Sequence, residues 1–328
     1  MKKIAVIGAG GSGTTLAVLL GEKGYNVDLW VRRKELLEKI NSFRENTQYL
    51  KGIKIPKSVI CKNSVSDVIK NSDIIVNAVP SQFTREVAKS YAKYLGKRSI
   101  IVNVAKGIEL HTYKTMSQVL KEELGKNIGI VTLSGPNHSE EISMKLPTAT
   151  VIASDNADCL KKVKEVFQTD YFKIFLHDDV IGVEVCGSVK NIAAIATGVC
   201  DGLGYGDNAR GSIITLGLME MSVFGKQLGA KRETFYGLAG VGDLVATCTS
   251  KYSRNRFVGE RLAQGKSMEE IKKGMHGMVA EGVQTTKSVY EFAKKHKLNM
   301  PLTQQAYCVL YENKNIKNAI KDLLKSFS

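Results

Sequence analysis

Lys190 and Asn191 interrupt a run of small and apolar residues, GVEVCGSVKNIAAIATGV, that extends from Gly182 to Val199. The run has the composition of a buried helix, where an unpaired ammonium group is costly. On a helix, the neighbours three and four positions from Lys190 are Cys186, Gly187, Ala193 and Ala194, all small. Space beside a lysine marks the wall of a pocket, and a lysine in an apolar pocket is suited to proton transfer. The alternative is a lysine that reaches solvent from the helix edge. Asn191 shares this surface with Gly187 and Ala194. It either lines the same pocket or satisfies a neighbouring backbone group.

Other polar residues follow glycine-rich stretches. DGLGYGDNARG (201–211) and YGLAGVGDLVATCTS (236–250) read as loops through which backbone can approach a ligand. Asp243 and Thr247 come with the second. Ser253, Arg254 and Asn255 then open a helix that Ser253 can cap. An arginine beside exposed helix N–H groups is an anion clamp, and a structural salt bridge is its plainer reading. Lys106 ends one apolar strand, SIIVNVAKGIEL, and Gly135 and Asn137 end another, IGIVTLSGPNH. SDIIVNAVPSQ ends at Pro80 in the same way. In open α/β sheets ligands bind beyond the carboxyl ends of strands, so Pro80, Lys106 and Asn137 are expected at one crevice.

These residues need a scaffold, and the N-terminal half supplies one. Ile4–Ile7 is a short β-branched run of the kind found in buried parallel strands. Gly8-Ala9-Gly10-Gly11-Ser12-Gly13 follows, then an apolar helical face at Leu16, Ala17, Leu19 and Leu20, and a second strand, YNVDLWV. In this context G-x-G-x-x-G is a dinucleotide fingerprint. Gly8 makes the turn, Gly10 admits the pyrophosphate, and Gly13 lets helix and strand pack closely. An acidic residue at the tip of the second strand would favour NAD, but Asp28 lies inside the strand. The tip carries Arg32 and Arg33, which suit a 2′-phosphate unless they form a solvated basic turn. The reading leans to NADP and keeps NAD open. After YFKIFLHDD the pattern turns helical. The expectation is an α/β chain: a Rossmann-type doubly wound sheet over residues 1–177 and an all-α substrate and catalytic domain over 178–328.

Composition narrows the partners. The 328 residues are 43% hydrophobic, enough for a large core, and carry a formal charge of +15. The lysines are spread along solvated helices rather than gathered in a recognition stripe, which favours a small phosphorylated metabolite over nucleic acid. Apolar stretches are broken by charges or glycines, so no membrane span is expected. The N-terminus lacks the pattern of a secretory signal, which makes a cytoplasmic location the default. The cysteines at 61, 159, 186, 200, 248 and 308 form no C-x-x-C pair and no zinc spacing, so no metal site is expected.

The motifs GAGGSGTTLA, NVAKGIE, SGPNHSEEI, GSVKNIAAIATGVCDGLGYGDNARGSIIT, GLAGVGDLVATCTS, SRNR and VAEGVQTTKSVYE, spread over essentially the whole chain, resemble bacterial NAD(P)-dependent glycerol-3-phosphate dehydrogenases. The resemblance implies reversible hydride transfer between NAD(P)H and dihydroxyacetone phosphate, with a product that feeds glycerophospholipid synthesis. It implies that Lys190 is the proton carrier. It puts further substrate contacts at Lys106, Gly135, Asn137, Asp243, Ser253, Arg254 and Asn255. Cofactor contacts fall on Gly11, Ser12, Arg32, Lys106, Ser139, Arg254, Val279 and Glu281. The chain departs from the family pattern at Ser12, where an aromatic is common, at Asn137-His138-Ser139, and at Lys51. Free lysine titrates at about 10.4. An apolar surface and the second cation Lys106 would lower that value for Lys190, and Asp243 would raise it. Two-domain dehydrogenases of this size are often homodimers.

Two other readings compete. The related β-hydroxyacid dehydrogenases share a helix-borne lysine but take carboxylate substrates; the SRN segment and the GVGDLVATCT stretch favour a phosphate. A non-catalytic nucleotide sensor or nucleic-acid binder would leave Lys106, Lys190 and Asp243 without a role.

Overall fold

A computed structural model describes residues 2–96, 98–275 and 277–326. The chain divides into two compact units. One comprises Met1–Ala105 and Met116–Val180; the other comprises Lys106–Thr115 and Ile181–Ser328.

The first unit is built on eight strands: β1 (Lys3–Ile7), β2 (Asn26–Trp30), β3 (Val59–Lys62), β4 (Ile74–Asn77), β5 (Ile100–Asn103), β6 (Gly129–Ser134), β7 (Thr148–Ala153) and β8 (Phe172–His177). They lie in the order β3-β2-β1-β4-β5-β6-β7-β8. All neighbours are parallel except β6 and β7. The order reverses beside β1, which is the switch point of a doubly wound sheet. Ile4, Val6, Leu29, Ile74, Val76 and Val102 are buried on one face, and Ala5, Ile7, Ile75 and Ile101 belong to the core on the other. Each fully buried aliphatic side chain contributes about 1.5–3 kcal/mol. β3 and β7 are absent from the sequence reading; VICK has only four residues, and two of the first three residues of TATVIA are threonines.

The second unit is helical. Its longest element, Val180–Gly202, is the lysine helix. Around it come Asp207–Gln227, Asp243–Thr249, Arg254–Ala263, Glu281–His296, Pro301–Tyr311 and Ile316–Lys325. The lysine helix is long and apolar enough to cross a membrane, contrary to the sequence expectation, but 83% of its most apolar window is buried in the protein. It is therefore a core helix. Residues 106–115 join this unit through side chains that a single linear boundary does not capture. Ser288 Oγ donates to the Ile108 carbonyl at 3.0 Å, and Tyr113 packs edge-on against Phe292 at 5.7 Å.

The stretch expected as a second glycine loop is helical instead. Leu238–Gly242 winds as a π-helical turn and runs directly into Asp243–Thr249. Gly240 is what the tight packing requires: a Cβ there would lie 2.0 Å from the Phe235 carbonyl oxygen. The first stretch survives as a short turn, because the lysine helix ends at Gly202 and the next helix begins at Asp207.

Candidate active site

The fingerprint in the first unit has the shape that a dinucleotide needs. The first helix, α1 (Gly11–Glu22), follows Gly10, which gives its first turn no side-chain cap. Gly8 has φ +114°, and a Cβ on Gly13 would lie 1.9 Å from the Gly8 carbonyl oxygen. A Cβ on Gly10 meets nothing within 4 Å. Gly13 thus closes the helix onto the strand, and Gly10 leaves a cradle open for a pyrophosphate. The residues fit NAD or NADP. A Gly13→Ala variant should lose nucleotide affinity by tenfold or more and also melt earlier, at roughly the cost of overpacking, ~1–3 kcal/mol. Gly10→Ala should melt normally and lose only the nucleotide. Fluorescence titration with NADH and NADPH, beside thermal melting, checks this contrast.

Asn46 was not singled out in the sequence. Its fully buried amide donates to the Ala9 carbonyl at 2.9 Å and to Thr14 Oγ1 at 2.8 Å, bracing the turn. A lone asparagine in FRENTQYL carries no signal for this. Ser12 is exposed, and its hydroxyl accepts from Ser139 Oγ at 3.4 Å. Asp28 lies within β2 and pairs with Lys3 and Lys62. Arg33 donates to Gln48 Oε1 at 2.7 Å and to Tyr49 Oη at 3.0 Å. Arg32 is exposed, with its guanidinium 5.9 Å from the centre of the Phe83 ring. At the end of β6, Gly135 has φ +140°, and the Asn137 amide donates to Thr150 Oγ1 at 3.3 Å. Lys106 follows β5 as expected and belongs to the second unit.

In that second unit the polar residues form a buried cluster. Lys190 is 5% exposed and Asp243 is 2% exposed. The Lys190 ammonium donates to Asp243 Oδ1 and to Thr247 Oγ1, each at 2.5 Å. Lys106 Nζ donates to the other carboxylate oxygen, Asp243 Oδ2, at 2.9 Å. Two cations therefore share one carboxylate, leaving a net positive charge suited to an anionic substrate. Burial pushes the Lys190 ammonium down to about 8; Asp243 opposes the fall and Lys106 adds to it. Burial alone would raise the Asp243 carboxyl, but Lys106 and Lys190 hold it below the usual carboxylate range.

Ser253 caps Arg254–Ala263, the clamp helix, by accepting the Arg256 N–H at 3.2 Å. The Arg254 guanidinium reaches the Val279 carbonyl only at 3.5 Å. Asn191 Nδ2 donates to the neighbouring Gly187 carbonyl at 3.4 Å, one of the two sequence alternatives, and its Oδ1 has a further role that neither described: it accepts from Asn255 Nδ2 at 2.8 Å. Asn255 Oδ1 in turn accepts the Gly282 N–H at 2.9 Å. This buried amide chain joins the lysine helix, the clamp helix and the start of Glu281–His296. Val279 is exposed just before that start, and Glu281 is its first residue. Among the described residues no three His, Cys, Asp or Glu side chains gather to hold a metal.

Comparison with known proteins covers both units. Residues 3–160 match the model of the NAD-dependent glycerol-3-phosphate dehydrogenase N-terminus, and residues 179–321 match that of its C-terminus. A glycerol-3-phosphate dehydrogenase (NAD(P)+) of Chlorobium limicola is 48% identical over 323 residues, 98% of this chain and 97% of the relative. One from Clostridium perfringens is 43% identical over 325 residues, 99% of this chain and 98% of the relative. The crystal structure of glycerol-3-phosphate dehydrogenase from Coxiella burnetii superposes with a TM-score of 0.95 at 36% identity, covering 98% of both chains.

Proposed function

Because this chain belongs to the NAD-dependent glycerol-3-phosphate dehydrogenase family, we propose that Lys190 carries the proton in a hydride exchange between NAD(P)H and dihydroxyacetone phosphate. The enzyme is an oxidoreductase that uses NAD or NADP. When bound, the nicotinamide supplies or accepts the hydride. As hydride reaches the carbonyl carbon, negative charge grows on the carbonyl oxygen, and a proton donor there lowers the barrier. An ammonium has three donors. Lys190 gives two of them to Asp243 and Thr247, which aims the third. That orientation, in a buried site, is the observation that carries the assignment. In the reverse direction the neutral amine takes the proton from the alcohol, and a value near 8 makes that form accessible at physiological pH.

Lys106 adds positive potential at the developing oxyanion. Ser253, Arg254 and the N-terminus of the clamp helix hold the substrate phosphate. Gly135 and Asn137 in the first unit are further substrate contacts, and Ser139, Val279 and Glu281 further cofactor contacts. Arg32, exposed just after β2, supports NADP. Six cysteines, five of them buried and none in a disulfide among the described residues, support a reducing, cytoplasmic setting, and a glycerol phosphate product supports a role in supplying glycerophospholipid synthesis. The test is the reduction of dihydroxyacetone phosphate followed by absorbance, with NADH and NADPH in parallel and 3-oxo acids as alternative substrates. The reading predicts turnover of the phosphate alone and a lower KM for NADPH. Preference for an oxo acid would overturn it.

A further inference from the structure

The lysine helix and the clamp helix meet backbone to backbone. A Cβ on Gly198 would lie 1.9 Å from the Arg256 carbonyl oxygen, and one on Gly202 would lie 2.7 Å from the Glu260 carbonyl oxygen. From the other side, a Cβ on Gly259 would lie 1.9 Å from the Ile195 carbonyl oxygen. Small residues four apart permit such an approach, which fixes two helices more closely than side-chain packing does.

At this crossing sits Asp201, whose side chain is 8% exposed. The Arg256 guanidinium donates through Nε to Asp201 Oδ2 at 2.6 Å. Arg210 donates through Nη2 to Asp201 Oδ1 at 2.7 Å and through Nε at 3.3 Å. Arg256 is the third residue of the clamp helix, and its own N–H is the one that Ser253 caps. One residue is thus held by its side chain to the lysine helix and by its main chain to a phosphate ligand. Asn255, its neighbour, is tied separately through Asn191. These ties fix the first turn of the clamp helix around Arg254.

We propose that Asp201 is a positioning residue for phosphate binding: through Arg256 it holds the first turn of the clamp helix, and so Ser253 and Arg254, in register with the lysine helix. This rests on the assignment of Ser253 and Arg254 to the substrate phosphate. Binding groups displaced by even a fraction of an ångström lose their effect steeply, whereas the proton carrier on the other helix is left in place.

The experiment pairs steady-state kinetics with calorimetric titration of inorganic phosphate. Asp201→Asn should raise the KM for dihydroxyacetone phosphate about tenfold, with kcat within about threefold, the signature of lost ground-state binding. The phosphate Kd should rise in parallel. Arg256→Lys, which keeps the charge and removes Nε, should do the same and serves if Asp201→Asn does not fold. The double variant Asp201→Asn/Arg256→Lys should be no worse than the worse single one, because both break one contact. Arg210→Gln, which leaves the Arg256 contact intact, should keep the wild-type KM. A salt bridge with only a structural role predicts lower melting temperatures with unchanged KM and phosphate Kd; that result would overturn the proposal. Phosphate titration does not depend on turnover. If the wild-type enzyme bound phosphate but did not reduce dihydroxyacetone phosphate, the proposed function would fail, and the Asp201 variants would still decide this proposal.

Discussion

Lys190→Ala is expected to lower kcat by about 10³-fold or more, at the upper end of what a single acid–base group contributes. The fold should survive. The variant removes a buried cation rather than stranding one, and Asp243 keeps Lys106 at 2.9 Å as its counter-charge. The truncation leaves a space next to Cys186, Gly187 and Ala194 that a small primary amine can enter. Added methylamine should therefore restore part of the lost rate, while an equal concentration of a quaternary ammonium salt should not. NADH titration should be unchanged, because the fingerprint lies in the other unit. Near-normal turnover in this variant would remove Lys190 from the chemistry.

Asp243→Asn should damage both stability and activity. The shape of the side chain is kept, but Lys190 and Lys106 then lose the carboxylate that they share. Breaking a buried ion pair by removing one partner costs about 3–5 kcal/mol, which corresponds to a melting temperature lower by roughly 4–7 °C in a chain of this size. The charge that remains has one way to relax. With Asp243 gone, the influence that raises Lys190 is lost, and its ammonium titrates below about 8. The unfolded chain then binds more protons than the folded one over a wider range. Stability should rise with pH from the new folded value up to the ordinary lysine value near 10.4. At neutral pH the amine is increasingly neutral, so reduction of dihydroxyacetone phosphate should fall more than oxidation of glycerol 3-phosphate. Thermal melts from pH 6 to 10 and rates in both directions check the two parts separately.

Why some of this was legible in the sequence follows from the physics of particular residues. A lysine amid small apolar residues stands out because charged groups are almost never fully buried without a partner, and Lys190 is indeed buried and paired. The fingerprint glycines announce themselves because Gly8 and Gly13 leave no room for any other residue at their spacing. The partners were harder. Lys190 and Asp243 are 53 residues apart, and Asn191 and Asn255 are 64 apart; nothing local in either segment requires these pairings. GLAGVG looked like a loop because glycine destabilises helices. Gly240 instead admits the close approach of Phe235 backbone within a helical turn. Lys106 was placed correctly at a strand end, yet which unit it packs with is decided by Ser288, Phe292 and Asp243, all far along the chain. β7 went unread because it joins the sheet antiparallel to β6, outside the strand–helix alternation that reveals β1, β2, β4, β5 and β6.

The central claim is that the proton moved during hydride exchange belongs to Lys190, at a value set by burial, Asp243 and Lys106 together. The most direct measurement is kcat against pH in both directions, for the wild-type enzyme and for Lys106→Ala. Oxidation of glycerol 3-phosphate should rise as the amine loses its proton, with a midpoint near about 8, and reduction of dihydroxyacetone phosphate should fall through the same midpoint. Loss of the second cation should move both limbs to higher pH, since Lys106 lowers the Lys190 value. Rates that do not vary between pH 7 and 10, or limbs that stay in place without Lys106, would contradict the account.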